Sequence, residues 1–176
     1  MSRLLDIPAE KRTPDQNTAF ERLAAGRGRI PTPYKVWIHS PDLALGMESV
    51  GTFLNKRSSL TRRQIEIGIV QIAAHWDGEY ALNNHIKAAK KAGIDDATIE
   101  KLKSGQKATF ADAKEQAFYD FTASLIAKKT MDDADFARVE KELGRAGMAE
   151  AMVLLGYYGS VAMAMKVHKV EPNAPE

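Results

Sequence analysis

The segment LTRRQIEIGIVQIAAHW, residues 60–76, constrains the fold more than any other part of the chain. Ile65, Ile69, Ile72 and Ala73 recur at the three-to-four spacing that lines one face of a helix. Ile67 and Val70 make a second face apolar. A helix that is apolar nearly all round has no side to offer to water, so other elements must enclose it. The remainder supplies helices for that purpose, because helical periodicity recurs from end to end and the alternation of β-branched residues that marks strands is absent. An all-α bundle built on one central helix is the expected architecture.

The punctuation supports that expectation. Asp15 to Ala25 reads as a short helix, stopped by the Gly/Pro linker from Gly26 to Pro33. Ser40 and Pro41 open a helix to about Lys56 as N-cap and first helical residue. Thr61 caps the central helix, Trp76-Asp77-Gly78 marks a turn or kink, and a further helix runs to Ala92 with Gly93 as its stop. IDDATIEKLKSG is a short amphipathic helix with acids first and lysines last, as the helix dipole prefers. In FADAKEQAFYDFTASLIAKK, the residues Ala117, Phe118, Phe121 and Leu125 form the expected buried stripe. MDDADFARVEKELG ends at Gly144, and a last long helix runs from Met148 to about His168. The pattern predicts about seven or eight helices. Residues 1–176 read as a single domain, in which 1–30 are an N-terminal arm and linker and 171–176 a tail expected to fray.

Composition removes whole classes of chemistry. With no cysteine among 176 residues, disulfides, thiolate metal sites and every cysteine nucleophile are excluded. A formal charge of +2, from 25 basic and 23 acidic side chains, gives no field that calls for nucleic acid or an anionic membrane. The longest uncharged run, Ala151 to Met165, is shorter than the roughly 20 apolar residues of a membrane span. A soluble, cytoplasmic protein is expected. No phosphate loop, nucleophile elbow or dinucleotide fingerprint occurs.

Two features carry possible chemistry. Glu66 sits in the otherwise apolar central helix, and a buried carboxylate must find a partner or take up a proton. Arg62 and Arg63 are near enough in sequence to pair with it, or its head could reach solvent. His85 ends the stretch GEYALNNH, where helical spacing stacks it above Gly78 and Ala81. Those small residues make room beside the imidazole either for a ligand or for another helix. His75 and Glu79, on either side of the kink, could join Glu66 and His85 in one polar pocket. No metal-ligand spacing supports a metal there, and none is expected. Tyr157, in the last apolar helix, could present its phenol to the same pocket.

The run from Leu60 to Ile94, the short helix after it and the late LLGYYGSVAMAM segment together resemble the carboxymuconolactone decarboxylase family of the AhpD-like superfamily. The resemblance extends from about Ile30 to Val170, with HSPDLALGMESVGTFLNKRSSL as its lead-in. Thiol-active members of that superfamily carry a glutamate, then a Cys-x-x-Cys pair, then a histidine four residues after the second cysteine. By that resemblance the glutamate matches Glu66 and the histidine His85, while the cysteine positions fall on Gly78 and Ala81. Peroxide reduction needs an attacking thiolate and a resolving thiol, and neither is present.

The decarboxylase side of the family needs no thiol. Its named reaction converts 4-carboxymuconolactone to an enol-lactone with loss of carbon dioxide. The resemblance therefore implies a small carboxylated lactone as substrate and no cofactor. His85 would transfer a proton or stabilise an oxyanion, Glu66 would orient the imidazole, and Arg63 would offset the substrate carboxylate, with Lys87 as second choice. Glu79, Tyr157, Gly78, Ala81 and His75 would complete the pocket. A homo-oligomer, trimer or hexamer, is also implied, with Ala151 to Met165 as the contact surface. The alternative is a thiol-less oligomer that binds a small molecule with a different or vestigial activity.

Overall fold

The segment Arg62–His75 is a helix buried on nearly every side, and the other helices are wrapped around it. In chain order the computed structural model contains α1 Pro14–Ala24, α2 Tyr34–Trp37, α3 Pro41–Lys56, α4 Arg62–His75, α5 Glu79–Lys91, α6 Asp96–Ser104, α7 Ala113–Lys128 and α8 Asp133–Val167. A single 3₁₀ turn, Ala9–Lys11, precedes them, and no strand occurs among the described residues. The structure describes residues 2–25 and 28–174. Met1, Gly26 and Arg27 of the expected linker, and Pro175 and Glu176 of the expected tail, lie outside the described residues.

Ile65, Ile67, Ile69, Val70 and Ala73 of α4 are all buried, and α4 packs against α5, α6, α7 and α8. Its first turn is locked by a capping box: Thr61 Oγ1 accepts from the Gln64 backbone, while the Gln64 side chain accepts from the Thr61 N–H. Pro14 and Pro41 both occupy first-turn positions. Ser40 flanks α3 as expected, although its side chain makes no capping hydrogen bond. Residues 76–78 form the expected turn between α4 and α5.

Three local expectations differ from what is observed. The short helix α2 follows the Gly/Pro stretch where none was expected, and it buries Tyr34 and Trp37. The helix before the last breaks at Gly144 as expected, where the backbone (φ 67°, ψ 169°) leaves helical geometry, but helix resumes at once rather than at Met148, so the two segments abut as α8. On α7 the buried face includes Tyr119 and Thr122, while Leu125 is only partly covered. By length and composition α8 is apolar enough to cross a membrane, but half of that window is buried inside the bundle. It packs against α3, α4, α5 and α7 as a core helix does.

Candidate functional site

Glu66 is fully buried. Its Oε2 accepts from His85 Nδ1 on α5 at 2.9 Å, and its Oε1 is ion-paired with Arg62 one helical turn earlier. A carboxylate paired with a guanidinium is an acceptor, which fixes the hydrogen on Nδ1 and directs Nε2 elsewhere. Nε2 has no hydrogen-bond partner among the described residues. The Tyr158 ring meets the imidazole edge-on, 4.8 Å between centroids.

His85 opens onto a cavity of about 620 Å³. Each bordering helix gives it one stripe: Gly51, Thr52, Asn55 and Lys56 from α3; Tyr80, Ala81, Asn84 and His85 from α5; Tyr157, Tyr158 and Val161 from α8. Arg62 enters from the first turn of α4, and Arg29, Pro31, Pro33 and Tyr34 close the remaining side. The walls therefore carry Arg29, Lys56 and Arg62 and no carboxylate. Neither Arg29 nor Lys56 has an ion-pair partner among the described residues. Arg62 is also held by Asn55, whose Oδ1 accepts from Nη1 at 2.9 Å.

The two phenols of α8 are tied differently. The Tyr157 hydroxyl lies 3.0 Å from that of Tyr34, and Tyr158 receives a long contact, 3.5 Å, from Asn55 Nδ2. Burial pushes both phenols up from the ordinary tyrosine value, far up for Tyr157, where the neighbouring Tyr34 adds to it, while the Asn55 contact opposes the rise at Tyr158. Both are neutral hydrogen-bonding groups at any ordinary pH. Room for the Tyr157 hydroxyl comes from Gly51: a Cβ there would stand 2.5 Å from the oxygen.

Several expected site residues lie elsewhere. Arg63 is one 100° step further round α4, so it faces α7 and the end of α5 rather than the cavity. It pairs with Glu115 and donates to the carbonyl oxygen of Gly93 at 2.6 Å, which makes it a structural clamp. His75, at the far end of α4, is exposed beside Trp76 and borders a separate small hollow near α6. Glu79 is exposed in the first turn of α5, beside the end of α8. The polar pocket of four groups thus reduces to Glu66 and His85, joined by Arg62. Among the described residues no group of three or more His, Asp or Glu is placed to hold a metal ion.

The small stripe of α5 divides its work. Ala81 lines the cavity. Gly78 instead receives α8: a Cβ at that position would lie 2.7 Å from the Ala162 Cβ. Both explanations for the stripe apply, one at each residue. The cavity residues that sequence reasoning did not single out are chiefly Arg29, Lys56, Asn84, Tyr34 and Tyr80. Asn84 stands three residues after Ala81 on α5, so helical spacing alone could have flagged it. Tyr80 also stands on α5, beside Ala81, whereas Arg29, Tyr34 and Lys56 come from segments remote in sequence.

No protein-family profile matches the chain, and no curated protein matches it. Among solved structures, a peroxidase-related protein from Silicibacter sp. TM1040 superposes with a TM-score of 0.73 at 19% identity, over 97% of this chain and 92% of its own. The debrominase Bmp8, in complex with 2,3,4-tribromopyrrole, gives 0.69 at 13% identity, over 97% and 91%. A protein of unknown function from Agrobacterium tumefaciens, whose description points to the antioxidant defence protein AhpD, gives 0.66 at 11% identity, over 78% and 94%. The fold is AhpD-like, in a chain that carries no cysteine.

Proposed function

We propose that the chain is a cofactor-independent enzyme that decarboxylates or rearranges a small carboxylated lactone of the kind produced by aromatic ring cleavage. The observation that carries this is the buried Glu66, held between Arg62 and His85 at the wall of a cavity lined by cations and phenols. In the reaction, Arg29 and Lys56 bind the substrate carboxylates at the rim, where Arg62 adds a third positive charge. Breaking the bond to the departing carboxylate releases carbon dioxide and leaves the electron pair on the conjugated carbonyl as an enolate. His85, entering this step as the imidazolium, then delivers the Nε2 proton to carbon and is left as the neutral Nδ1–H imidazole, which solvent protonates again at Nε2. Glu66 holds Nδ1–H throughout, so the imidazole neither turns nor changes tautomer. Arg62 takes the charge-balancing place first given to Arg63.

A second possibility is binding without turnover of a flat ring compound. The phenols of Tyr34, Tyr157 and Tyr158 favour it, as does the pyrrole ligand of the similarly folded debrominase. In either case a homo-oligomer, trimer or hexamer, is proposed to bury the outward face of α8, where Met152, Val153, Met163 and Val167 stand exposed.

The test is a spectrophotometric assay of the purified protein with 4-carboxymuconolactone, following substrate loss and carbon dioxide release. His85→Ala is expected to lower kcat by about 10²- to 10⁴-fold, the usual contribution of a positioned general acid. Glu66→Gln, with circular dichroism confirming the fold, is expected to lower it as well. Turnover that survives His85→Ala overturns the mechanism, and absence of turnover by the unaltered protein shifts the assignment to the binding protein.

A further inference from the structure

One group in the cavity wall is unused by the proton-transfer array. Asn84 immediately precedes His85 on the cavity face of α5, and its amide Nδ2 is buried with no hydrogen-bond partner. The asparagines around it are committed. Asn83 Nδ2 donates to the Pro172 carbonyl at 2.9 Å and to Asn173 Oδ1 at 2.8 Å. Across the cavity, Asn55 Nδ2 donates to the Gly51 carbonyl at 2.8 Å. A buried N–H left without an acceptor burdens the free fold, and such groups are rare in native proteins. Asn84 borders the cavity, and a turn of its amide about the Cβ–Cγ bond on ligand entry would present Nδ2 to a ligand atom, the natural acceptor there.

The chemistry of that atom follows from its surroundings. The cavity presents cations and hydroxyls and no carboxylate, so its occupant is rich in acceptor oxygens. The full charges of Arg29 and Lys56 are the better partners for a carboxylate. A neutral amide beside His85 suits an uncharged carbonyl, and it becomes stronger as that oxygen gains charge. We infer that Asn84 donates its Nδ2–H to a ring carbonyl oxygen of the bound anion, adjacent to the carbon that His85 serves. The ligand class is thus a ring carboxylate bearing a separate carbonyl, recognised at two points. This inference rests on the anion-binding part of the proposed function.

The experiment compares two probes that differ in the carbonyl alone, 5-oxotetrahydrofuran-2-carboxylate and tetrahydrofuran-2-carboxylate, by calorimetric titration. The unaltered protein is expected to bind the carbonyl-bearing acid about fivefold more tightly, the worth of one neutral hydrogen bond. Asn84→Leu is expected to erase that preference while still binding both acids. The ligand-free Tm of Asn84→Leu should hold or rise, because an unpaired donor is being removed. A preference that persists in Asn84→Leu, or a Tm that falls without ligand, overturns the inference and makes Asn84 structural. Lys56→Ala reports the anion reading separately through weaker binding of both acids. If neither acid binds the unaltered protein, that reading fails and the role of Asn84 falls with it.

Discussion

The hydroxyl of Tyr157 occupies the space that a side chain at position 51 would need. Gly51→Ala must therefore push the phenol off Tyr34 or shift α3 away from α8. The expected cost is about 1–3 kcal/mol, as for other overpacked sites, read as a lower midpoint in denaturant titration. Unchanged stability would mean that the phenol has another place to go. The same burial that fixes Tyr157 keeps it protonated. Absorbance titration at 295 nm of the unaltered protein and Tyr157→Phe should coincide up to about pH 11, past the ordinary tyrosine range. At this scale the sequence revealed the conspicuous residues and missed the ordinary ones. Glu66 drew notice as a charge in an apolar helix, and His85 through its spacing. Lys56 and Arg29 look like any surface cation until α2, α3 and α5 bring them to one rim.

At the scale of elements, a sharp contact joins the start of α5 to the last turns of α8. Gly78 has an ordinary backbone (φ −84°), so Gly78→Ala is opposed chiefly by Ala162, with the Ala73 carbonyl oxygen a lesser obstacle 3.3 Å from the added Cβ. Gly78→Ala is expected to destabilise by about 1–3 kcal/mol. Combined with Ala162→Gly it should cost less than the two single changes added together, even though glycine in a helix interior carries its own penalty. Strict additivity in thermal unfolding would deny the contact. A second tie joins α8 to the loop before α4. Glu150 Oε2 accepts from Ser58 Oγ, Ser59 N–H and Ser59 Oγ at 2.7–2.9 Å. Burial raises the Glu150 pKa, but these hydrogen bonds together outweigh it and hold the carboxyl below its ordinary value. A lowered folded-state pKa stabilises above the unfolded-state value and is lost as pH falls through it. Glu150→Gln should therefore be about 1 kcal/mol less stable at neutral pH, with the deficit shrinking below about pH 4.5. Helix starts such as Thr61 and Pro41 were legible because capping is written in adjacent residues. The short α2 was not, since its four residues, YKVW, are held by burying Tyr34 and Trp37 rather than by periodicity.

For the molecule as a whole, the core and the surface of α8 tell different stories. Leu154, Tyr158, Ala162 and Met165 turn inward, while Met152, Val153, Met163 and Val167 are left at the surface. Gly156 lies on that outward side, with open space beside it. Light scattering coupled to size-exclusion chromatography should give a multiple of the chain mass, and Met163→Glu should reduce it. A monomer before and after the change would remove the proposed interface. The sequence showed how apolar this helix is, but periodicity alone could not say which side a partner would cover. The packing of α8 onto α5 also limits how position 78 can change, because Ala162 closes over it. Any side chain placed there alone, a cysteine included, would meet that methyl group before it could take part in chemistry. The opposing helix would have to give way first, so one alanine acts as a lock on what the start of α5 can become.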